Sequence, residues 1–202
     1  MDIREQKRHL RDSISQRITR LAGKNKSAEN RSLCKRILEN LPRKDASIHG
    51  APPQPPLTIA AYVPLKSEAD ILPLLHQFLK RGDPLYLPVF KNNMLTFRKT
   101  EDLQLLKPGT LNILEPPESA PELDPLKLDF ALVPARAFDR KGWRLGRGNG
   151  GYDKWIRSQR LLNPKTKFWG IALECQIVNE MPREEHDEKV DQIITARGFV
   201  IR

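Results

Sequence analysis

Four short apolar runs constrain this chain more than any other feature: Thr58 to Val63, Leu85 to Phe90, Leu128 to Val133 and Phe168 to Leu173. Runs of this length, rich in aliphatic and aromatic residues, read as buried strands rather than helices. Ser67 to about Lys80 separates the first pair and has the spacing of a helix, with Ser67 as its expected N-cap. Tyr152 to Leu161, also helical, leads into the fourth run. Strand, helix, strand implies a parallel unit, so the expected class is α/β, with a mainly parallel twisted sheet flanked by helices.

The rest of the chain fits around that sheet. Ile3, Leu10, Ile14, Ile18 and Leu21 recur at helical spacing among Lys and Arg, which predicts an amphipathic basic first helix. A second helix is expected from a cap at about Ser27, with the stripe Leu33, Ile37 and Leu41, ending at Pro42. The proline-rich stretch at about 42–57 reads as an exposed connection within a single domain spanning 1–202. Met94 to Arg98 predicts a short strand, and Ile193 to Ile201 a last strand interrupted near Gly198. Pro108, Pro116, Pro117 and Pro121 exclude a long regular element between them.

A formal net charge of +10 favours anionic partners, whether phosphates, substrate carboxylates or nucleic acid. Aromatic residues make up only 6% of the chain and no RNA-binding aromatic strand is evident, so nucleic acid is not the expected partner. Cys34 and Cys175 are too few for a disulfide framework or a zinc site and read as packing residues of a reducing compartment. The opening residues turn charged at once, and nothing approaches the ~20 apolar residues of a membrane span. A cytoplasmic monomer is the expectation.

The chemistry concentrates in Arg144-Leu145-Gly146-Arg147-Gly148-Asn149-Gly150-Gly151-Tyr152-Asp153. Glycines at the entry of a helix let backbone N–H groups approach an anion, the helix end adds unpaired donors and partial positive charge, and Arg144 and Arg147 add full charges. This is a phosphate cradle. It is not a Walker P-loop, since no Gly-Lys-Ser/Thr closes it. Gly146, Gly148 and Gly151 do form a G-x-G-x-x-G with Glu174 downstream, but they begin well past the preceding strand, whereas a dinucleotide turn follows its strand directly.

That loop resembles the nucleotide loop of 5-formyltetrahydrofolate cyclo-ligases, also called methenyltetrahydrofolate synthetases. Further matches lie in register: Lys7-Arg8-His9-Leu10-Arg11, Tyr62-Val63-Pro64-Leu65-Lys66-Ser67-Glu68, Leu87-Pro88, Asp129 to Pro134 with Ala137-Phe138-Asp139, and Gln176, Pro182, His186-Asp187 and Val190-Asp191. The chain departs from the common pattern at Ala135-Arg136 and at Gly151, where a tyrosine is usual.

The resemblance implies an ATP- and magnesium-dependent ligase of folate one-carbon metabolism. It would convert 5-formyltetrahydrofolate, polyglutamylated or not, to 5,10-methenyltetrahydrofolate with release of ADP and phosphate. It assigns ATP to Lys7, Arg8, His9, Leu10 and Arg11 and to Arg144 through Tyr152. The folate falls to Val63, Glu68, Arg147, Gly148, Asn149, Gly150 and Gly151, and magnesium to Asp153 and Asp187. Arg144, Arg147 and Lys7 are the implied stabilisers of the phosphoryl transition state. The competing function is a cyclo-ligase-like nucleotide- or RNA-binding protein without ligase activity. Lys7 and Arg11, as exposed residues, and Asp153, in the first turn of the next helix, are expected to matter little to the stability of the ligand-free protein.

Overall fold

The computed structural model describes residues 2–21, 23–42, 56–92, 94–109 and 112–201. Most of the connection at 42–57 lies outside these residues. In chain order the helices are α1 (Ile3–Arg20), α2 (Gly23–Asn40), α3 (Leu72–Arg81) and α4 (Gly151–Leu162). The strands are β1 (Ile59–Ala60), β2 (Leu85–Lys91), β3 (Met94–Thr100), β4 (Lys107–Pro108), β5 (Leu114–Glu115), β6 (Phe130–Pro134), β7 (Ala137–Asp139), β8 (Arg144–Leu145), β9 (Lys167–Ile171), β10 (Ile177–Val178), β11 (Gln192–Thr195) and β12 (Gly198–Phe199).

The main sheet runs β12-β11-β9-β6-β1-β2-β3. Its five inner strands are parallel, and the edges β3 and β12 are antiparallel hairpin partners of β2 and β11. β6 is buried at every position because helices cover both faces, which is what a wholly apolar strand needs. On one face Ile59, Leu87, Leu132 and Trp169 pack against Leu33 and Ile37 of α2 and Leu74 and Phe78 of α3. On the other, Ala60, Ala131, Val133 and Phe168 pack against Ile156 of α4.

The winding reverses between β1 and β6. β1 leads through α3 to β2 on one side, and β6 leads through α4 to β9 on the other. Loops leaving two such neighbouring strands part to opposite faces and open a crevice at their carboxyl ends. A smaller sheet, β10-β7-β8, stands beside that crevice and carries the glycine loop out of β8. Ile14 and Ile18 of α1 pack on Ala137 and Leu145 of this sheet. Gly170 lets the two sheets approach, since a Cβ there would lie 2.6 Å from the Phe138 ring.

Several boundaries differ from the sequence expectation. α2 begins at Gly23, four residues before the expected cap at Ser27, because nothing between them stops the helix. α3 begins at Leu72, not Ser67; Pro73 in the first turn suits a helix start, and Asp70 Oδ1 accepts the Leu72 N–H at 3.0 Å. Ser67 and Glu68 therefore belong to a turn, in which the Glu68 N–H donates to the Leu65 carbonyl at 2.9 Å. The paired part of β1 is only Ile59–Ala60, although the chain stays buried through Tyr62. The last apolar run folds as a hairpin, β11 and β12, with Gly198 at φ 119° supplying the turn that a single strand could not. Cys34 is buried and Cys175 half-buried, and both are free thiols, as packing residues would be.

Candidate functional site

Two cavities meet at the crevice. The first is an apolar recess of about 100 Å³. Its walls are the segment after β1 (Tyr62, Val63, Leu65, Glu68), the end of β6 (Pro134, Ala135), Phe90 and Leu95 of the β2–β3 hairpin, Ile113 and Glu115 beside the β4–β5 ribbon, and the loop residues Arg147, Asn149, Gly151 and Tyr152. The second is a polar cleft of about 460 Å³ between α1, the glycine loop and residues 184–187, lined by Arg4, Lys7, Arg11, Leu145, Gly148, Gly150, Asp153, Glu184, His186 and Asp187. Arg144 and Gly146 line both.

The cleft is built from charges already paired with one another. Lys7 Nζ donates to both oxygens of Asp187, at 2.6 and 2.8 Å, and to Glu184 Oε2 at 2.9 Å. Asp187 Oδ2 also accepts the Glu184 N–H at 2.7 Å. The Lys7 bond holds the Glu184 carboxyl below the usual carboxylate range. Arg144 Nη2 donates to Asp153 Oδ2 at 2.7 Å, with side chains only 3% and 10% exposed. Asp153 Oδ1 accepts the Glu188 N–H at 3.3 Å, so both its oxygens are engaged. Arg11 Nε clasps the loop through the Gly146 carbonyl at 2.9 Å. Lys7 is 6% exposed and Asp153 7%, so Lys7 is not the exposed residue that its place on a basic helix suggests, and both are buried charges. Their removal strands a buried opposite charge, which is costly.

Two glycines of the loop adopt backbone conformations that need glycine. Gly148 and Gly150 have φ of 107° and 66°, a region closed to most side chains. The N-cap residue of α4, Gly150, has no side chain to offer, and the Gly151 N–H donates instead to Asn149 Oδ1 at 3.3 Å.

The recess has a different character. Glu68 is 7% exposed, and its Oε2 accepts the Leu65 N–H at 3.0 Å while Oε1 faces Arg147 Nη2 at 3.2 Å. Arg147 Nη2 also donates to Ser67 Oγ at 3.1 Å. Tyr62 donates its hydroxyl to the Ala69 carbonyl at 2.9 Å. Burial, with Glu68 next in effect, pushes the phenols of both Tyr62 and Tyr152 well above their ordinary pKa, so both stay protonated. The Arg144 guanidinium lies 5.2 Å from the centre of the Tyr152 ring.

The structure thus brings most of the expected residues together and divides them. Val63, Glu68, Arg147, Asn149 and Gly151 line the recess; Gly148 and Gly150 line the cleft. Tyr152, expected with the nucleotide set, lines the recess instead. Arg8 and His9 line neither cavity: Arg8 pairs with Glu5 at 3.4 Å on the exposed face of α1, and Leu10 packs on the α1 core cluster. Sequence reasoning missed Arg4, although its i, i+3, i+7 spacing with Lys7 and Arg11 places the three on one helix face. It also missed Glu184 and Glu115, for which no local signal exists. Gln176, in register with the family, is structural: it is fully buried, accepts the Leu173 N–H at 2.8 Å and donates to the Ala135 carbonyl at 2.8 Å.

The 5-formyltetrahydrofolate cyclo-ligase family model matches residues 3–196. The chain is 34% identical over 142 residues to the 5-formyltetrahydrofolate cyclo-ligase of Escherichia coli K12, covering 68% of this chain and 77% of that one. The mouse protein of the same name is 25% identical over 197 residues, covering 93% and 92%. Among solved structures, the Aquifex aeolicus 5,10-methenyltetrahydrofolate synthetase superposes with a TM-score of 0.77 at 27% identity, over 96% of this chain and 91% of that one.

Proposed function

The chain belongs to the 5-formyltetrahydrofolate cyclo-ligase family, and from that premise we propose that it converts 5-formyltetrahydrofolate and ATP to 5,10-methenyltetrahydrofolate, ADP and phosphate. One observation carries the reading to this site: Arg144, with Gly146, lines both the apolar recess and the polar cleft. A folate held in the recess and a triphosphate held in the cleft would meet at one guanidinium.

The formyl oxygen is the nucleophile and the γ-phosphate its target. ADP leaves; N10 then attacks the activated formyl carbon, phosphate departs, and the N10 proton is lost. The residues' share is alignment and charge stabilisation, because a phosphoryl transition state needs cations around its oxygens. Lys7 and Arg11 hold the phosphate chain from α1, and the backbone of the glycine loop at Gly148 and Gly150 holds it from the other side. Arg144 stabilises charge on the transferring group. Glu68 fixes the pterin, and Arg147, which faces the recess rather than the cleft, fixes Glu68.

Asp153 and Asp187 fit a magnesium site in donor chemistry: both are carboxylates lining the cleft, and magnesium takes one or two carboxylates while phosphates and water complete its shell. When bound, the ion supplies charge neutralisation on the phosphate oxygens. Arg144 and Lys7, which hold these carboxylates in the ligand-free protein, would then be free to turn towards phosphate.

Among the described residues no helix is long and apolar enough to cross a membrane. We take the enzyme to work in the cytoplasm as a monomer. The test is direct: purified protein, 5-formyltetrahydrofolate and Mg-ATP, followed by methenyl-folate absorbance. Product formation that stops when either ATP or magnesium is withheld is expected; no product under saturating conditions overturns the reading.

A further inference from the structure

Among the described residues, Arg136 carries a charge that no ion pair answers. It sits in the bend between β6 and β7, where its N–H donates to the Leu145 carbonyl at 2.8 Å and its carbonyl accepts from Gln176 Nε2 at 3.3 Å. The backbone is fixed on both sides. The residue is half-buried, and its Nε is enclosed without a hydrogen-bond partner. Its charged neighbours are the guanidiniums of Arg147 and Arg11 and the carboxylates of Glu68 and Asp12. Glu68 is committed to the Leu65 N–H and to Arg147, and Asp12 is exposed on α1. Burial, and next the Arg147 charge, press the Arg136 guanidinium towards its neutral form. An arginine does not take that form, so the cost stands.

We propose that Arg136, with Arg11 and Arg147 beside it, forms a binding site for an oxyanion, a phosphate or carboxylate group, where α1, the β6–β7 bend and the start of the glycine loop meet. Arg136 lines neither the recess nor the cleft, while Arg11 lines the cleft and Arg147 the recess. The site is thus a third one, touching both. Three guanidiniums against one buried and one exposed carboxylate favour a negative ligand over a neutral one. Donors are in supply: the Arg136 side chain has all of its own unused among the described residues, Arg11 uses only Nε, and Arg147 leaves Nη1 free. Planar forks of this kind match the paired oxygens of phosphate and carboxylate, which sets an oxyanion apart from chloride. Two sources carry that chemistry, free phosphate and the tail carboxylates of a reduced folate.

The experiment compares wild type with Arg136→Leu and Arg136→Gln, melted in chloride and in inorganic phosphate at equal ionic strength. In chloride both variants should melt at or above the wild-type temperature, because an unanswered cation has been removed. Phosphate at about ten times its dissociation constant should raise the wild-type melting temperature by roughly 3 °C more than that of either variant. Calorimetric titration with Mg-ATP should agree within about twofold across the three proteins, since Arg136 does not line the cleft. Titration with monoglutamyl and triglutamyl 5-formyltetrahydrofolate separates the sources. A triglutamyl preference that falls about tenfold in the variants identifies the tail carboxylates, whereas equal folate affinities beside a lost phosphate response identify free phosphate. An equal phosphate response in all three proteins with unchanged folate affinities overturns the site, as do variants that melt below wild type in chloride or lose Mg-ATP affinity. A wild-type protein that binds no reduced folate overturns the proposed function alone, and the phosphate response then decides the site.

Discussion

The recess and the cleft lie on either side of Arg144, yet they prepare for a ligand in opposite ways. The recess is walled mainly by strand ends and apolar side chains, and among the described residues its own lining forms one ion pair, Glu68 with Arg147. The cleft is filled with ion pairs, Lys7 with Asp187 and Glu184, and Arg144 with Asp153. A ligand entering the recess adds contacts; one entering the cleft exchanges them. It follows that changes in the cleft should alter stability and nucleotide binding together, whereas changes in the recess should alter folate binding alone.

The largest effect expected is for Asp153→Asn. Removing the charge leaves the Arg144 guanidinium buried without a counter-ion, which should cost roughly 3 kcal/mol in the ligand-free protein. Turnover should fall by about two orders of magnitude through lost magnesium and displaced Arg144. Denaturant unfolding and turnover against magnesium concentration measure the two. A variant that loses turnover while its unfolding midpoint stays at the wild-type value would show that the buried pair does not support the fold.

Lys7→Met should come next. It keeps the stem that α1 packs with and removes the ammonium, so we expect about 1–2 kcal/mol of destabilisation, an order-of-magnitude rise in the ATP concentration for half-maximal rate, and unchanged folate affinity. Loss of folate affinity here would erase the distinction between the two cavities.

Gly151→Ala should be the mildest and the sharpest. A Cβ at this position would sit 3.2 Å from Phe90 Cε2 and 3.7 Å from Leu95 Cβ, so Phe90 must shift by a few tenths of an ångström at the mouth of the recess. Folate binding should weaken about threefold, with stability within ~1 kcal/mol and ATP binding unchanged. Phe90 and Leu95 occupy the space towards which a larger residue at 151 would project.

How much of this was legible in the sequence follows from how local each signal is. β6, a continuous apolar run, and α4, entered from a glycine loop, announce themselves because the cause of each lies within a dozen residues. β7, β8 and β10 are two or three residues long and carry no period, so the small sheet that presents the loop was invisible. Ser67 imitated an N-cap because the residues after it resemble a first turn, while the real start was marked by Asp70 and Pro73. The burial of Lys7 and Asp153 was unreadable for another reason. Their partners, Asp187 and Arg144, are recognisable as site residues, but nothing in the spacing says that they neutralise one another before any ligand arrives.

Lys7 and Asp187 are 180 positions apart, and the bonds between them close the cleft. During synthesis α1 emerges before the other described elements, and its lysine must wait for residues 184–187 before it meets these carboxylates. The strands of the main sheet from β1 to β9 can pair before then, since all precede residue 184. The nucleotide cleft is therefore among the last parts of the molecule to acquire native form, and its closure depends on the contact of longest loop in the site. Mg-ATP bound across this seam, as proposed, would favour the folded chain over any nascent or partly opened one by mass action, so that nucleotide would act as a clasp on maturation before it acted as a reactant.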